Sequence, residues 1–371
     1  MKGQWIGQCE GTNTGTMFIN VDGLPSCFQG VAHLIDDNKS IPGSAVFFKT
    51  ENKNKNFQFR SNVIHPIDSK TGIITSWNNI KNDYPAEVRM PGHVDVKGTW
   101  GEESVELSWA SDIGTSGKCT LPKSKAGKPS ALTPIAKDWD DYKKYVATLE
   151  GRRFLFRGQN KTWRLRTSFH RTGRADLHRF LNEDIKVLHK HLSGRTRHMF
   201  NLEIPNENGA FFNLLQHHGY PTPLLDWTYS PYVAVFFAYR GVSNKIAADA
   251  GPDEKVRIHV FDQAQWQNDW IQLHMILATA PHFSVEEFMS VENQRMVPQQ
   301  SASTLTNLDD VETHIKSKES NGKCYLSAID LPIRDRKKVM NELNYMGITA
   351  GSLFPGLDGA CEELRERNFD I

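Results

Sequence analysis

The chain has 371 residues and a formal net charge of +1. That length points to two domains, and that balance gives no global field toward nucleic acid or a membrane surface. A hydrophobic content of 39% with 10% aromatics can fill packed cores and excludes a disordered chain. No apolar run is long enough to span a bilayer, and no N-terminal signal pattern is present. The cysteines, Cys9, Cys27, Cys119, Cys324 and Cys361, are scattered, odd in number and without metal-ligand or redox spacing. Free thiols in a reducing cytoplasm, no metal site and no membrane contact are therefore expected.

Residues 1–121 read as strand after strand. Alternation and turn residues predict strands at 16–21, 27–35, 43–50, 56–63, 72–77, 86–90, 93–100, 104–109 and 117–121. Asp22-Gly23 reads as a hairpin turn. Many short antiparallel strands hide their edges by closing, so an all-β, meander barrel-like domain is predicted over 1–121. The opening Gly3-Gln4-Trp5 resembles the Gly-x-Trp start of lipocalin- and avidin-like barrels. That likeness implies either a packed barrel or one holding a small ligand or a partner.

Residues 122–137 begin with proline, glycine, serine and lysine and no apolar face, as in a linker. An α+β domain is predicted over 138–371, and the two pieces are expected to fold independently. Asp138 can cap a helix over 139–149, and Phe154-Leu155-Phe156 reads as a short buried strand that delivers Arg157 at its end. Segment 152–179 carries eight arginines and Lys161 against Asp176 alone, with Trp163 and Phe169 interleaved. Guanidinium forks suit phosphate oxygens and aromatics suit a base face, so a dinucleotide or a nucleic-acid strand would fit. Pairing to acids elsewhere would instead leave a structural basic face. Further elements predicted are helices at 175–192 and 208–216, a strand at 255–261, and a helix at 285–289 capped by Ser284. A strand at 324–329 and helices at 335–345 and 360–366 follow.

The densest cluster of unusual residues is 214–240, LLQHHGYPTPLLDWTYSPYVAVFFAYR. Gly219, Pro221 and Pro223 stop a helix near Gln216. Ser230 and Pro231 start the next one, which is apolar almost all round and should be buried. Gln216, His217, His218 and Asp226 are thus held on a stiff turn between packed helices. Such a turn either presents a site or ties itself down by hydrogen bonds. Asp226 is expected to be structural, taking backbone N–H bonds ahead of the helix.

This stretch resembles the FRG domain family, named for a Phe-Arg-Gly motif. Phe156-Arg157-Gly158, then Gln159, supply that motif, and 216–238 follows the family's QHHG-PT-LLDWT-SP-VA-FFA block. Gly347-Ile348-Thr349 and the run Leu353-Phe354-Pro355-Gly356-Leu357-Asp358-Gly359 also match. In a third block Arg295 and Gln299 keep the family pattern, while Ser301 stands where a glycine is expected. The resemblance implies a site but leaves the N-terminal third unexplained.

No Walker loop, Rossmann glycine pattern, zinc motif or serine nucleophile elbow is present. The block order is similar, at the level of fold analogy, to ADP-ribosyltransferases. That likeness implies Arg157 on the pyrophosphate of NAD, Thr228, Tyr229 and Ser230 as a second block, and Glu292 as the catalytic carboxylate; Gln294 is the alternative match and would compromise the chemistry. A cleft lined by Arg157, Gln159, Gln216, His217, Tyr229 and Arg295, with Gln299 beside it, is expected to take a nucleotide or dinucleotide. The function expected is an NAD-dependent transferase or glycohydrolase acting on a protein or nucleic-acid target. A non-catalytic nucleotide- or partner-sensing module is one alternative. A nucleic-acid-binding or nuclease-like domain with His217 or His218 as general base is the other.

Overall fold

The computed structural model describes residues 1–369. Nine antiparallel strands build the N-terminal region: β1 (Gly3–Gly11), β2 (Gly15–Gly23), β3 (Phe28–Asp36), β4 (Gly43–Lys49), β5 (Asn56–Ser61), β6 (Ile64–Ile67), β7 (Val94–Trp100), β8 (Ser104–Ser111) and β9 (Ser116–Pro122). Their order, β5-β7-β8-β9-β1-β2-β3-β4-β6, makes a nearly closed barrel. The open seam is drawn together where Phe47 donates its N–H to the Val63 carbonyl (3.0 Å) and Ser61 Oγ donates to the Phe47 carbonyl (2.6 Å). This is the all-β domain the alternation predicts. Residues 72–77 and 86–90 do not form strands: Ile74 makes an isolated bridge to Ile67, and a short helix begins at Trp77. Asp22-Gly23 ends β2, and the predicted hairpin turns directly after it, through residues 24–27 into β3.

A second, seven-stranded sheet organises the C-terminal mixed α/β region. Its strands are β10 (Ile135–Ala136), β11 (Phe154–Gln159), β12 (Leu224–Thr228), β13 (Lys255–Asp262), β14 (Phe283–Glu286), β15 (Ser301–Thr306) and β16 (Leu326–Pro332). The order is β10-β16-β13-β11-β12-β15-β14, antiparallel except where β10 lies parallel to β16. The apolar helix Pro231–Arg240 packs on one face with Phe156, Val256 and Ile258, and a second core of Leu155, Trp227, Phe261 and Trp266 fills the other. Ser230 caps that helix through its hydroxyl, as its sequence position suggests.

Two predicted elements differ. Residues 285–289 are not a helix: Phe283–Glu286 is a fully buried strand paired along β15, and short apolar runs do not distinguish the two by period. The helix predicted at 175–192 starts later, from an Asp176 cap, and changes winding over Phe180–Ile185.

The segment between the regions is laid onto the second one. Pro129 bridges Trp163, and Ile135–Ala136 extends the second sheet. The outer wall of β1–β3 is itself covered. Phe18 is 0% exposed and belongs to the core that holds Leu155 and Trp227. Gln4 bonds Asn20 and both the Asn307 carbonyl and the Asp309 N–H. Asp22, 1% exposed, accepts from Arg174 Nε (2.7 Å) and Arg179 Nη1 (3.3 Å) and from the N–H groups of Ala175 and Asp176. No helix among the described residues is long and apolar enough to cross a membrane.

Candidate functional site

The seven-stranded ladder has one weak seam. β11 pairs with β13 along its whole length, and β12 pairs along its whole length with β15. Between β11 and β12 the only pair is Phe156–Thr228, after which the strands diverge. Backbone groups freed by such a split need side-chain partners. The Arg157 guanidinium supplies one, donating from Nη1 to the Asp226 carbonyl across the gap.

Glycine at 158 has a separate cause. A Cβ there would lie 1.8 Å from the Ala234 carbonyl oxygen and 2.7 Å from the Ala238 nitrogen. The strand therefore runs against the backbone of helix Pro231–Arg240, which only glycine permits. The three motif residues divide the work: Phe156 is core, Arg157 braces the split, and Gly158 lets the helix close on it.

A cavity of about 270 Å³ sits at this split. Both strands line it with Phe156, Arg157 and Gly158 and with Asp226, Trp227 and Thr228. Asn213, Gln216 and His217 come from helix Pro205–His217, and Ala234 and Phe237 from helix Pro231–Arg240. Asn293, Arg295, Met296, Gln299, Ser301 and Phe354 complete the wall.

Of the residues singled out by sequence, Arg157, Gln216, His217, Thr228, Arg295 and Gln299 line this cavity together. Gln159, His218, Tyr229, Ser230 and Glu292 do not. Tyr229 is engaged elsewhere: the Arg152 guanidinium lies 4.1 Å over its ring and its hydroxyl donates to Glu287 (2.7 Å). Ser230 is a buried helix cap. Glu292 is exposed, in a left-handed conformation (φ 55°), and accepts the His198 N–H. Gln294 is exposed as well and also lies off the cavity. His218 ends its helix, with its ring edge-on to that of His217 at 4.8 Å.

The polar wall is a chain of hydrogen bonds. The Thr222 hydroxyl donates to Gln216 Oε1, and Gln216 Nε2 donates to Asp226 Oδ1. Asp226 therefore takes a side-chain amide where the sequence suggested backbone N–H groups. Asp226 and Arg157 lie deep among protein atoms yet keep accessible surface, because the cavity opens beside them. Desolvation raises the Asp226 carboxyl, opposed by Arg157, the Gln216 bond and Arg171. Burial lowers Arg157 to about 10, opposed by Asp226, so it remains a cation at neutral pH. His217 is lowered to about 4 by burial and then by Arg295 and His218, which keeps it neutral. The Arg295 guanidinium stacks 4.9 Å over Phe354, while Gln299 Nε2 ties the third block to the Leu353 carbonyl (2.9 Å).

The arginine-rich segment resolves into ion pairs. Arg152 faces Glu287, Arg153 faces Asp262, and Arg164 faces Asp310 and Glu312. Arg166 faces Asp309, Arg174 faces Asp22 and Asp184, and Arg179 faces Asp22 and Glu183. Among the described residues, Arg157 and Arg171 of this run have no carboxylate within 4.0 Å. The basic run is thus mostly a set of struts.

Residues 152–246 match the family model of the FRG domain. The match covers the Phe-Arg-Gly strand, the split and both helices that flank it. Arg295, Gln299 and Phe354 lie beyond it, so the cavity is completed by chain outside the matched segment. A search of curated proteins and a search of solved structures each returned no match.

Sequence reasoning missed Asn213, Asn293 and Phe354 as cavity residues. Asn293 Nδ2 donates to Asn213 Oδ1, which joins the third block to the helix before the turn. The Leu353-Phe354-Pro355 match was the available signal for Phe354. Nothing local marks Asn213, a polar residue at 6% exposure inside a buried helix face, except that such a residue needs a partner.

Proposed function

We propose that the FRG domain cavity binds an anionic nucleotide, with NAD as the first candidate. The observation that carries this reading is that Arg157 and Arg295 face one cavity without ion-pairing carboxylates, while most neighbouring arginines are paired. Two such guanidiniums can hold phosphate oxygens through the N–H groups they have left. Phe237 offers an apolar wall for a base, and Asp226 offers a carboxylate to ribose hydroxyls. A volume of about 270 Å³ suits one nucleotide end, so a dinucleotide would enter with half its length inside.

The chemistry such a site could perform is cleavage of the nicotinamide–ribose bond. It requires a carboxylate near the ribose to stabilise the developing oxocarbenium ion. With Glu292 bonded to the His198 N–H on the outside, that role falls to Asp226. The neutral His217 is available to accept a proton from an incoming nucleophile. A second reading, nucleotide sensing without turnover, is favoured by the bond that already engages the Asp226 carboxyl through Gln216. A nucleic-acid groove is not favoured, since it needs exposed cations and this segment has spent most of its own on acids.

Incubation of the protein with NAD separates the two main readings. Nicotinamide release that disappears in Asp226→Asn supports catalysis. NAD binding without release supports sensing, and absence of both refutes the nucleotide assignment.

A further inference from the structure

The barrel's inner wall is packed at one end and unfilled at the other. Val21, Val105 and Leu121 are 0% exposed. Further along the same interior, Ala32, Leu34, Val46, Phe59, Ile64 and Trp109 are only partly buried. Apolar side chains that point inside a barrel and still meet solvent outline an open cavity, here of about 110 Å³. Leu34, Ser44, Trp109 and Thr115 also line a second cavity of about 400 Å³ at the mouth. The two cavities share that wall, so an apolar bore lies next to a vestibule of mixed lining.

The rim carries the Asp36 and Glu87 carboxylates and also has unused donors. Arg89 lines the vestibule, is exposed, and has no hydrogen bond or ion pair among the described residues. The Trp109 indole N–H has no protein partner among them either. Ser111 and Thr115 hydroxyls, by contrast, bond each other (2.7 Å). Vacant donors above an apolar bore suit a molecule with an acceptor at one end and hydrocarbon at the other. The bore is too small for a helix or a chain segment, and an apolar space of this order takes a small hydrocarbon group.

We propose that the barrel is a ligand site for a small amphiphile. A short acyl chain or single ring occupies the bore, and a hydrogen-bond-accepting head lies beside Arg89 and Trp109. The strands that form this wall also carry the junction. His33 and Phe47, on β3 and β4, meet the His178 ring of the second region, tilted and edge-on, with centroids 5.8 and 5.1 Å apart. An occupant therefore presses on the same β3–β4 wall whose outer face meets the FRG domain side.

Calorimetric titration of the full chain with octanoate and with octanol, followed by Trp109 fluorescence, tests this. Saturable binding of at least one is expected, with the indole signal lost in Trp109→Phe. Ser44→Trp, which adds bulk to the wall shared by vestibule and bore, should weaken binding at least tenfold. Ala32→Phe, which fills the bore, should do the same, and either variant with an unchanged melting temperature suffices. Tighter octanoate than octanol assigns Arg89 to the head group. No binding of either compound by the wild type, or binding unaltered in both folded variants, overturns the proposal.

Discussion

The two sheets each enclose a cavity, but they do so by opposite means. The barrel's neighbouring strands are paired from β5 round to β6, with one open seam between those two, and its cavity is lined mostly by apolar side chains. The second sheet's ladder fails between β11 and β12, so its cavity is walled partly by backbone in need of partners. An intact ladder leaves an apolar bore, and a split one demands arginine, glutamine and asparagine. The lesson is that a missing run of strand pairs predicts where polar residues must collect, whatever they then bind.

The largest expected effect tests the junction that joins the two. Asp22→Ala should lower stability by about 3–5 kcal/mol, the cost of removing one partner from a buried ion pair, because Arg174 and two N–H groups lose their acceptor. A chemical denaturation curve measures it, and a cost near zero would mean the junction is incidental. Gly158→Ala should come next, at about 3 kcal/mol, the upper part of the overpacking range. Its new Cβ meets backbone that cannot yield without moving a helix. The same substitution at Gly114, where no atom lies within 4 Å but φ is +85°, should cost only about 1 kcal/mol, through backbone strain alone.

Much of the barrel was legible because alternation is a strong signal where one face is buried and the other wet. It failed at 72–77 and 86–90, where an isolated bridge, a short helix and loop take the place of the predicted strands. The site was legible in the block 214–240 and in Phe156-Arg157-Gly158, since glycine and proline mark the turns that fix Gln216, His217 and Asp226. The roles were less so. Tyr229, Ser230 and Glu292 share the right blocks but point to other tasks, because a block places a residue within a few ångströms and not on a chosen side. The arginine run left two readings open for a related reason: the acids that decide for ion pairing, Asp22, Asp262, Asp309 and Asp310, are distant in sequence.

A smaller and more distributed effect is expected with pH. Burial first, with neighbouring cations in some cases, lowers His33 and His259 to about 3 and His170, His178, His217, His282 and His314 to about 4. The native state keeps them neutral while the unfolded chain takes up protons below about 6.5. Unfolding therefore gains from acid, and stability should fall as pH drops from 6.5 toward 4. Asp176, raised to about 6 chiefly by burial, acts in the opposite sense, since the native state holds its proton first. Melting temperatures between pH 7 and 5 should decline, less steeply than the histidines alone would give. A rise over that interval would contradict the assignment of neutral buried histidines.

The most direct test of the split-ladder site is calorimetric titration of NAD into the wild type and into Arg295→Ala. Arg295 lines the cavity but braces no strand, so its loss should leave the melting temperature unchanged. One binding event per chain is expected, weakened roughly 10- to 100-fold in the variant, the equivalent of about 1.5–3 kcal/mol for a charged hydrogen-bonded contact. No heat from the wild type at millimolar NAD, or equal affinity in both proteins, would contradict the claim that this cavity is an anionic nucleotide site.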